Sequence, residues 1–242
     1  MSVGLKYPQS LIKIKGIRLS ASSAKIYRKK RDDIALIEIT DGSVTSAAFT
    51  QNRFCAAPVQ ISKNHLSKSK PRYCLINAGN ANAGTGEDGL SNSKAICREL
   101  AKITNCNENE ILPFSTGVIG EDLPVEKINK ALPQLVKNLS EDCWVNVAKS
   151  IMTTDTIPKA VSSQISIANS TVSVTGIAKG SGMIKPDMAT MLSFVATDAN
   201  ITKDALDKIR DHALFKSFNR ITIDGDTSTN DSFLLISTGA ID

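Results

Sequence analysis

Short apolar runs separated by turn residues and mixed with amphipathic segments are the feature that most restricts the fold of this chain. Two pairs of runs, 34–39 with 44–49 and 161–167 with 171–178, are each joined by a turn and predict antiparallel hairpins. The order of the segments is mixed α/β rather than a regular series of β-α-β units. The further predicted strands are 11–19, 73–76, 192–196, 220–223 and 233–237. The predicted helices are 90–103, 125–139, 143–152 and 203–213. We expect Pro133 to kink or divide the second of these helices.

Composition narrows the class of protein without naming a function. The 242 residues, 41% hydrophobic and 22% charged, are ordinary for a globular chain with one large domain or two small ones. A net charge of +5 does not by itself indicate a nucleic-acid partner. The basic run 28–31 is followed at once by Asp32-Asp33 and has no interleaved aromatic residues, which favours a solvated turn over a phosphate-binding patch.

Cysteine content and hydropathy predict a cytoplasmic protein that does not enter a membrane. The five cysteines are odd in number and include no C-x-x-C pair, so we expect free thiols in a reducing compartment. No run approaches the roughly 18 apolar residues that span a bilayer. The first 31 residues carry nine basic and no acidic side chains, as in a transit peptide, but the alternation over 11–19 favours a segment of the fold.

Several segments begin like known functional motifs but lack residues that those motifs require. The segment 180–185 begins like a dinucleotide-binding loop, but Lys185 stands in place of the third glycine. The segment 224–231 starts like a calcium loop, but Thr229 occupies the glycine position. This turn is dense in hydroxyls and carboxylates, and two interpretations stay open, a capping loop or the wall of a polar site. With two histidines and no G-x-S-x-G motif, the sequence disfavours a Ser-His-Asp hydrolase.

The segment "KGSGMIKPDMATML", residues 179–192, places Thr190 in an apolar run after a loop with two glycines and a proline. An N-terminal threonine can act as a nucleophile without histidine, because its α-amine, with a pKa of about 7.7–8.0, is its own base. Cleavage of the preceding bond, next to the small Ala189, would create such a residue. The alternative interpretation is that Thr190 is only a β-forming residue at the start of a buried strand.

The same segment resembles the processing site of the ornithine acetyltransferase family, also called glutamate N-acetyltransferase or the arginine-biosynthesis bifunctional protein. The resemblance extends over essentially the whole chain and follows the family's order of motifs. Its blocks are "GIRLSASSAKIYRKKRDDIALIEI" (16–39), "TQNRFCAAPV" (50–59), "INAGNANAGTG" (76–86), "STGVIGEDLP" (115–124), "MTTDTIPK" (152–159), "KGSGMIKPDMATML" (179–192) and "SFNRITIDGDTSTND" (217–231).

The resemblance implies a self-processing fold of the N-terminal-nucleophile type, with hairpins and layered helices. Cleavage between Ala189 and Thr190 would give an α segment, 1–189, and a β segment, here 190–242, which stay associated as α2β2. Thr190 would take the acetyl group of N-acetylornithine and pass it to glutamate in a ping-pong cycle. The family implies no bound cofactor or metal, and some members use acetyl-CoA as a donor.

The resemblance also assigns roles to four residues besides the cleavage pair. The hydroxyl of Thr116 and the backbone N–H of Gly117, expected in a turn after the run 111–114, would form the oxyanion hole. Lys179 and Thr153 match substrate-binding positions, and an ammonium group suits a carboxylate. Without the resemblance, these residues would be interpreted as a strand-ending turn, a solvated lysine and a helix-end hydroxyl.

The family's β segment continues beyond Asp242, and its remaining binding residues, including a glutamate, lie in that continuation. We therefore expect the sequence to be a fragment. Two other functions stay open at this point. A related self-processing hydrolase or aminopeptidase would use Thr190 in the same way but would not respond to glutamate, and a non-catalytic module would remain unprocessed.

Overall fold

Two β-sheets lie face to face between outer layers of helices. The structure is a computed structural model that describes residues 8, 10–27, 29–167, 170–185 and 191–241. The described strands are β1 (Ile17–Ser22), β2 (Ile34–Ile39), β3 (Val44–Phe49), β4 (Tyr73–Asn80), β5 (Ile111–Val118), β6 (Lys159–Ile167), β7 (Ser170–Lys179), β8 (Leu192–Ala199) and β9 (Ser232–Ile241). The described helices are α1 (Ala57–Leu66), α2 (Gly86–Thr104), α3 (Val125–Lys137), α4 (Trp144–Ser150) and α5 (Lys203–Lys216), with 3-10 turns at Glu108–Glu110 and Phe218–Arg220.

The strand order interleaves distant parts of the chain. One sheet has the order β1-β2-β4-β5, and the other has the order β3-β9-β8-β7-β6. The pairs β4–β5 and β8–β9 are parallel, and the remaining neighbours are antiparallel. The hairpin predicted from 161–167 and 171–178 is confirmed as β6 and β7.

The hairpin predicted from 34–39 and 44–49 is wrong, although both strands exist. β2 pairs with β1 and β4, whereas β3 crosses to the other sheet and pairs with β9. The physical reason is the apolar character of both faces of β2. Such a strand is stable only in the middle of a sheet that is covered on both sides.

Alternation along β2 shows how the layers are built. Ala35, Ile37 and Ile39 point into the core between the two sheets, while Ile34 and Leu36 point into the core beneath α2 and α3. On the far side, Leu206 and Leu214 of α5 pack against β3 and β9. The result is a helix–sheet–sheet–helix arrangement. It confirms the mixed α/β fold that the sequence predicted and the layered helices that the family resemblance implied.

Several element boundaries differ from the prediction. Residues 11–14 and 220–223 are not in strands, and the predicted strand at 73–76 extends to Asn80. Helix α1 was not predicted, because its buried positions carry polar residues such as Ser62 and His65. Helix α3 runs unbroken through Pro133, since its buried leucine and isoleucine face compensates for one missing hydrogen bond.

All five cysteines are free thiols, at positions 55, 74, 97, 106 and 143. Burial raises the pKa of Cys74 and of Cys97, so these two behave as small apolar side chains. Within the described residues, no helix combines the length and the apolar character needed to cross a bilayer.

The contact between Phe114 and Phe194 joins the two sheets, with ring centroids 5.1 Å apart and an interplanar angle of 87°. We predict that Phe194→Ala lowers the free energy of unfolding by about 3–5 kcal/mol, because it opens a cavity in the shared core. The control is Phe215→Ala, whose side chain is 59% exposed and should cost less than about 1 kcal/mol. Urea unfolding measures both, and equal losses would contradict the prediction.

Candidate active site

A cavity of about 530 Å³ lies where the ends of the two sheets come together. It is lined by residues from the ends of β4, β5 and β7, the start of β8, and the loops that precede β6 and β9. These segments belong to sequence blocks that are far apart along the chain. Their convergence makes this cavity the candidate active site.

Four of the residues singled out in the sequence line this cavity together: Thr116, Gly117, Thr153 and Lys179. Thr116 and Gly117 lie within β5 rather than in a turn after it, because β5 keeps its pairing with β4 as far as Val118. The cleavage pair, Ala189 and Thr190, lies outside the described residues. Met191, which follows Thr190 in the sequence, lines the cavity.

The ammonium group of Lys179 connects two of these residues. Its Nζ lies 2.7 Å from Thr116 Oγ1 and 3.3 Å from Thr153 Oγ1. Lysine has three N–H donors and no acceptor, so both hydroxyl oxygens accept hydrogen bonds from it. One cation therefore joins the end of β5, the loop before β6 and the end of β7.

Burial lowers the pKa of Lys179, and the nearby carboxylates of Asp155 and Asp231 act against this effect. The positive charge of Lys159 lowers it further. The protonation of Lys179 thus depends on acidic groups from two different loops.

Asp155 fixes the loop before β6 to the end of β7. Its side chain is only 1% exposed, and its Oδ1 accepts hydrogen bonds from Lys159 and, at 2.8 Å, from the backbone N–H of Gly180. Burial alone would raise the pKa of Asp155, but these hydrogen bonds outweigh it and the pKa lies below its usual value. Asp155 is therefore an ionised anchor directly beneath the Lys179 loop.

The turn 224–231 is a wall of the polar site, which decides between the two interpretations of its composition. Its last four residues, 228–231, line the cavity. Asn230 Nδ2 donates to the carbonyl oxygens of Ala81 at 2.6 Å and Ser115 at 2.9 Å, which ties the turn to the ends of β4 and β5. Asp224 accepts hydrogen bonds from the backbone N–H groups of Met183 and Ile184, so the same turn also holds the loop after β7.

Asp231 is a carboxyl group of this wall that the sequence did not single out. It is buried, and burial raises its pKa to about 8, although hydrogen bonds with Ser228 and the charge of Lys179 lower it. Perturbed carboxyl groups in a cleft are candidates for a functional role. The signal that could have found Asp231 was the density of polar residues in the turn.

Gly117 allows β5 to approach β4 at the edge of the cavity. Its φ is +139°, and a Cβ at this position would lie 2.3 Å from the carbonyl carbon of Gly79 and 2.5 Å from the backbone nitrogen of Asn80. Both atoms are backbone atoms of β4 and cannot rotate away. A residue larger than glycine would therefore push the two strands apart.

The basic run 28–31 has a structural role at Arg31, while Arg28 lies outside the described residues. The guanidinium of Arg31 donates hydrogen bonds to the carbonyl oxygens of Lys149, Ser150 and Met152, at the end of α4. It also lies 4.7 Å from the ring centroid of Tyr27, a cavity-lining side chain that sequence reasoning missed. The solvated turn predicted for this run fits the exposed Lys29 and Lys30 but not Arg31, which is half-buried and supports the wall of the site.

The described residues contain no group of three or more histidine, cysteine or acidic side chains that could hold a metal ion. The arrangement offers hydrogen-bond donors and the half-buried ammonium group of Lys179, which face the same cavity. Such a set can bind an anion or stabilise negative charge that develops during a reaction.

The ArgJ family model matches residues 18–242. The chain is 50% identical over 241 residues to the arginine biosynthesis bifunctional protein ArgJ of Psychrobacter arcticus, covering 99% of this chain and 59% of that protein. It is 52% identical over 226 residues to the protein of the same name from Methylococcus capsulatus, covering 93% of this chain and 55% of that protein. The chain thus spans less than two thirds of the length of these curated relatives.

Solved structures show the same similarity. Arginine biosynthesis bifunctional protein ArgJ from Bacillus halodurans superposes with a TM-score of 0.68 at 33% identity, over 75% of this chain and 95% of that chain. Ornithine acetyltransferase from Mycobacterium tuberculosis, solved with ornithine, superposes with a TM-score of 0.65 at 28% identity, over 75% of this chain and 96% of that chain. A third solved structure is an L-aminopeptidase D-Ala-esterase/amidase from Ochrobactrum anthropi, described as a variant of the Ntn hydrolase fold. It superposes with a TM-score of 0.53 at 10% identity, over 96% of this chain and 76% of that chain, and this similarity concerns the fold alone.

We predict that Gly117→Ala destabilises the protein more than Gly120→Ala. Both glycines have positive φ values, +139° and +82°, but a Cβ at Gly120 meets nothing within 4 Å. Gly120→Ala should cost about 1–2 kcal/mol for the left-handed conformation alone, whereas Gly117→Ala adds the clash with β4. Urea unfolding of the two variants measures the difference, and equal costs would show that β4 yields without strain.

We predict that Asp231→Asn weakens the pH dependence of stability. The pKa of Asp231 is raised from 3.8 to about 8 in the folded protein, so its contribution to stability is fully present below pH 3.8 and is lost as the pH rises through about 8. The melting temperature of the variant should therefore fall less than that of the wild type between about pH 5 and pH 9.

The control for the change in net charge is Asp122→Asn, at an exposed position. Its melting curve should follow the wild type across the same range. Parallel curves for the wild type and Asp231→Asn would contradict the assignment of this titration to Asp231.

Proposed function

The chain belongs to the ArgJ family, and from that premise we propose that it transfers the acetyl group of N-acetylornithine to glutamate in arginine biosynthesis. The observation that carries this proposal is the meeting of Thr116, Gly117, Thr153 and Lys179 in one cavity. These are the positions for which the family resemblance implies an oxyanion hole and a substrate site. Met191, next to the proposed nucleophile in the sequence, lines the same cavity.

The proposed chemistry begins when Thr190 Oγ attacks the carbonyl carbon of Ala189. The Ala189–Thr190 C–N bond breaks, the hydroxyl proton passes to the released amine, and water hydrolyses the resulting ester to leave the Ala189 carboxylate and a free Thr190. The freed α-amine of Thr190 then accepts the proton of its own hydroxyl as Oγ attacks the acetyl carbonyl of N-acetylornithine. The amide C–N bond breaks, the proton passes to the leaving amine, and the acetyl group remains on Thr190 as an ester. The amine of glutamate attacks this ester and leaves as N-acetylglutamate, which restores the hydroxyl.

Negative charge develops on the acetyl oxygen in both steps. The Thr116 hydroxyl and the Gly117 N–H are the proposed donors to it, and each such donor is worth about 2.7–4 kcal/mol of transition-state stabilisation. Both substrates carry an α-carboxylate, for which the Lys179 ammonium and the Thr153 hydroxyl are the proposed partners.

The strand order supports an enzyme that remains assembled after cleavage. The five-stranded sheet takes β3, β6 and β7 from the segment before residue 190 and β8 and β9 from the segment after it. β8 and β9 pair with each other and lie between β7 and β3, so the two products would share one sheet and one core. An α2β2 assembly is the form that we propose.

The lengths of the solved relatives also support processing into two chains. The structural alignments cover 95–96% of each solved chain but only 75% of the residues of this chain. The solved chains are therefore shorter than this one. The curated relatives, by contrast, extend well beyond it. The use of acetyl-CoA as a second donor stays a prediction from the family resemblance.

We predict that the full-length protein separates into two chains on a denaturing gel, and that N-terminal sequencing of the second gives Thr190-Met191-Leu192. Thr190→Ala should give one band and no acetyl transfer, because it removes the hydroxyl needed for both reactions. The control is Thr171→Ala, an exposed threonine of β7, which should be cleaved normally. Transfer of acetyl groups by an intact, uncleaved chain would refute the mechanism.

The effect of glutamate, the acetyl acceptor, on the rate of deacetylation distinguishes a transferase from a self-processing hydrolase. In a transferase, glutamate accelerates loss of the acetyl group from Thr190. In a hydrolase, the rate of deacetylation is independent of glutamate, and that result would favour the alternative function.

A further inference from the structure

The hydrogen bond between Lys179 and Thr116 suggests a role for Lys179 beyond contact with a substrate carboxylate. Thr116 is 6% exposed near the end of β5, and Lys179 ends β7, so the 2.7 Å contact joins the two sheets at the cavity. A lysine whose only function was to bind a substrate carboxylate would not need a hydrogen bond to Thr116. Two of its three N–H groups point to Thr116 and Thr153, which leaves one for a substrate.

The direction of this hydrogen bond determines what the Thr116 hydroxyl can do. An ammonium group cannot accept a hydrogen bond, so Thr116 Oγ1 must be the acceptor. The hydroxyl hydrogen is then directed away from Lys179. Among the described residues, the Thr116 hydroxyl has no hydrogen-bond partner other than Lys179, and Thr116 lines the cavity.

We infer that Lys179 is a positioning residue of the oxyanion hole, which holds the Thr116 hydroxyl as a hydrogen-bond donor toward the reacting carbonyl oxygen. The inference rests on the proposed function. A hydroxyl that accepts a bond from a cation is also a stronger donor, because hydrogen bonds in a chain polarise one another. Lys179 would thus lower the barrier for any acyl group attacked in this cavity, whatever the rest of the substrate is.

This role requires Lys179 to be protonated. Burial lowers the pKa of Lys179 and so acts against the protonated form, and three charged groups around it modify that effect. Asp155 from the loop before β6 and Asp231 from the turn before β9 favour the cation, and Lys159 of β6 disfavours it. Asp155 is committed to Lys159 and to the Gly180 N–H. The ionised Asp155 is the larger of the two acidic influences that keep Lys179 charged, and Asp231, whose pKa burial raises to about 8, adds to it as it ionises.

A double-mutant cycle in the full-length enzyme tests the inference. Its members are the wild type, Thr116→Ala, Lys179→Met and the double variant, assayed with N-acetylornithine and glutamate at saturating concentrations. Thr116→Ala should lower kcat by about 10²–10³. Lys179→Met should lower kcat at least tenfold when Thr116 is present but less than about threefold when Thr116 is absent, because the two residues act as a unit.

The separation of kcat from KM distinguishes positioning from substrate binding. A lysine that only binds the carboxylate would change KM and would act by the same factor in both backgrounds, and that result would overturn the inference. Lys179→Arg keeps an N–H donor and should retain more of kcat than Lys179→Met. If Lys179→Met fails to fold by circular dichroism, Lys179→Gln replaces it in the cycle, with the same criterion.

The same cycle on the rate of self-cleavage separates this inference from the proposed function. If the wild type cleaves itself but transfers no acetyl group to glutamate, the transferase proposal fails and the cycle on cleavage still decides the role of Lys179. If the wild type does neither, both fail. If the wild type is active and the two effects multiply, the inference alone fails.

Discussion

The hydrogen bond from Lys179 to Thr116 is the interaction on which the geometry of the site depends, because it joins the ends of two separate sheets. It exists because the two sheets pack on one shared core, which includes Phe114 and Phe194. Each partner is fixed by its own sheet. Gly117 lets β5 lie close against β4, and Asp155 holds the backbone after Lys179. A half-buried cation held in this way can orient hydroxyl groups that solvent would otherwise leave free to rotate.

The stacked sheets would hold the two segments together after the proposed cleavage before residue 190. The strands on either side of residue 190 are neighbours in one sheet, and β9 pairs with β3 from near the N-terminus. Apolar residues from both segments fill the core between the sheets. The free energy of this burial is independent of one peptide bond, so cleavage could change the chemistry of the site without separating its parts.

The sequence blocks that resemble the family gather around the cavity because the topology brings strand ends together. The turn 224–231 illustrates the effect. Its composition left two roles open, and the hydrogen bonds of Asn230 to Ala81 and Ser115 settle that it forms a wall. Asp231 and Tyr27 were not predicted as site residues. Asp231 is placed by a long-range hydrogen bond from the Thr50 N–H to its carbonyl oxygen, and the Tyr27 ring lies at the cavity because it packs beside Gly79 of β4. No local pattern records either contact.

The sequence by itself determined the class of fold, the helices α2, α4 and α5, the hairpin β6–β7, and the family to which the chain belongs. These follow from local periodicity and from motifs whose residues are close together. Only the tertiary structure decided that β2 and β3 lie in different sheets, that Pro133 leaves α3 intact, and that Lys179 meets Thr116. The physical reason is that pairing partners and buried hydrogen bonds are chosen by the packing of the whole core, whereas periodicity reports only which face of each element will be buried.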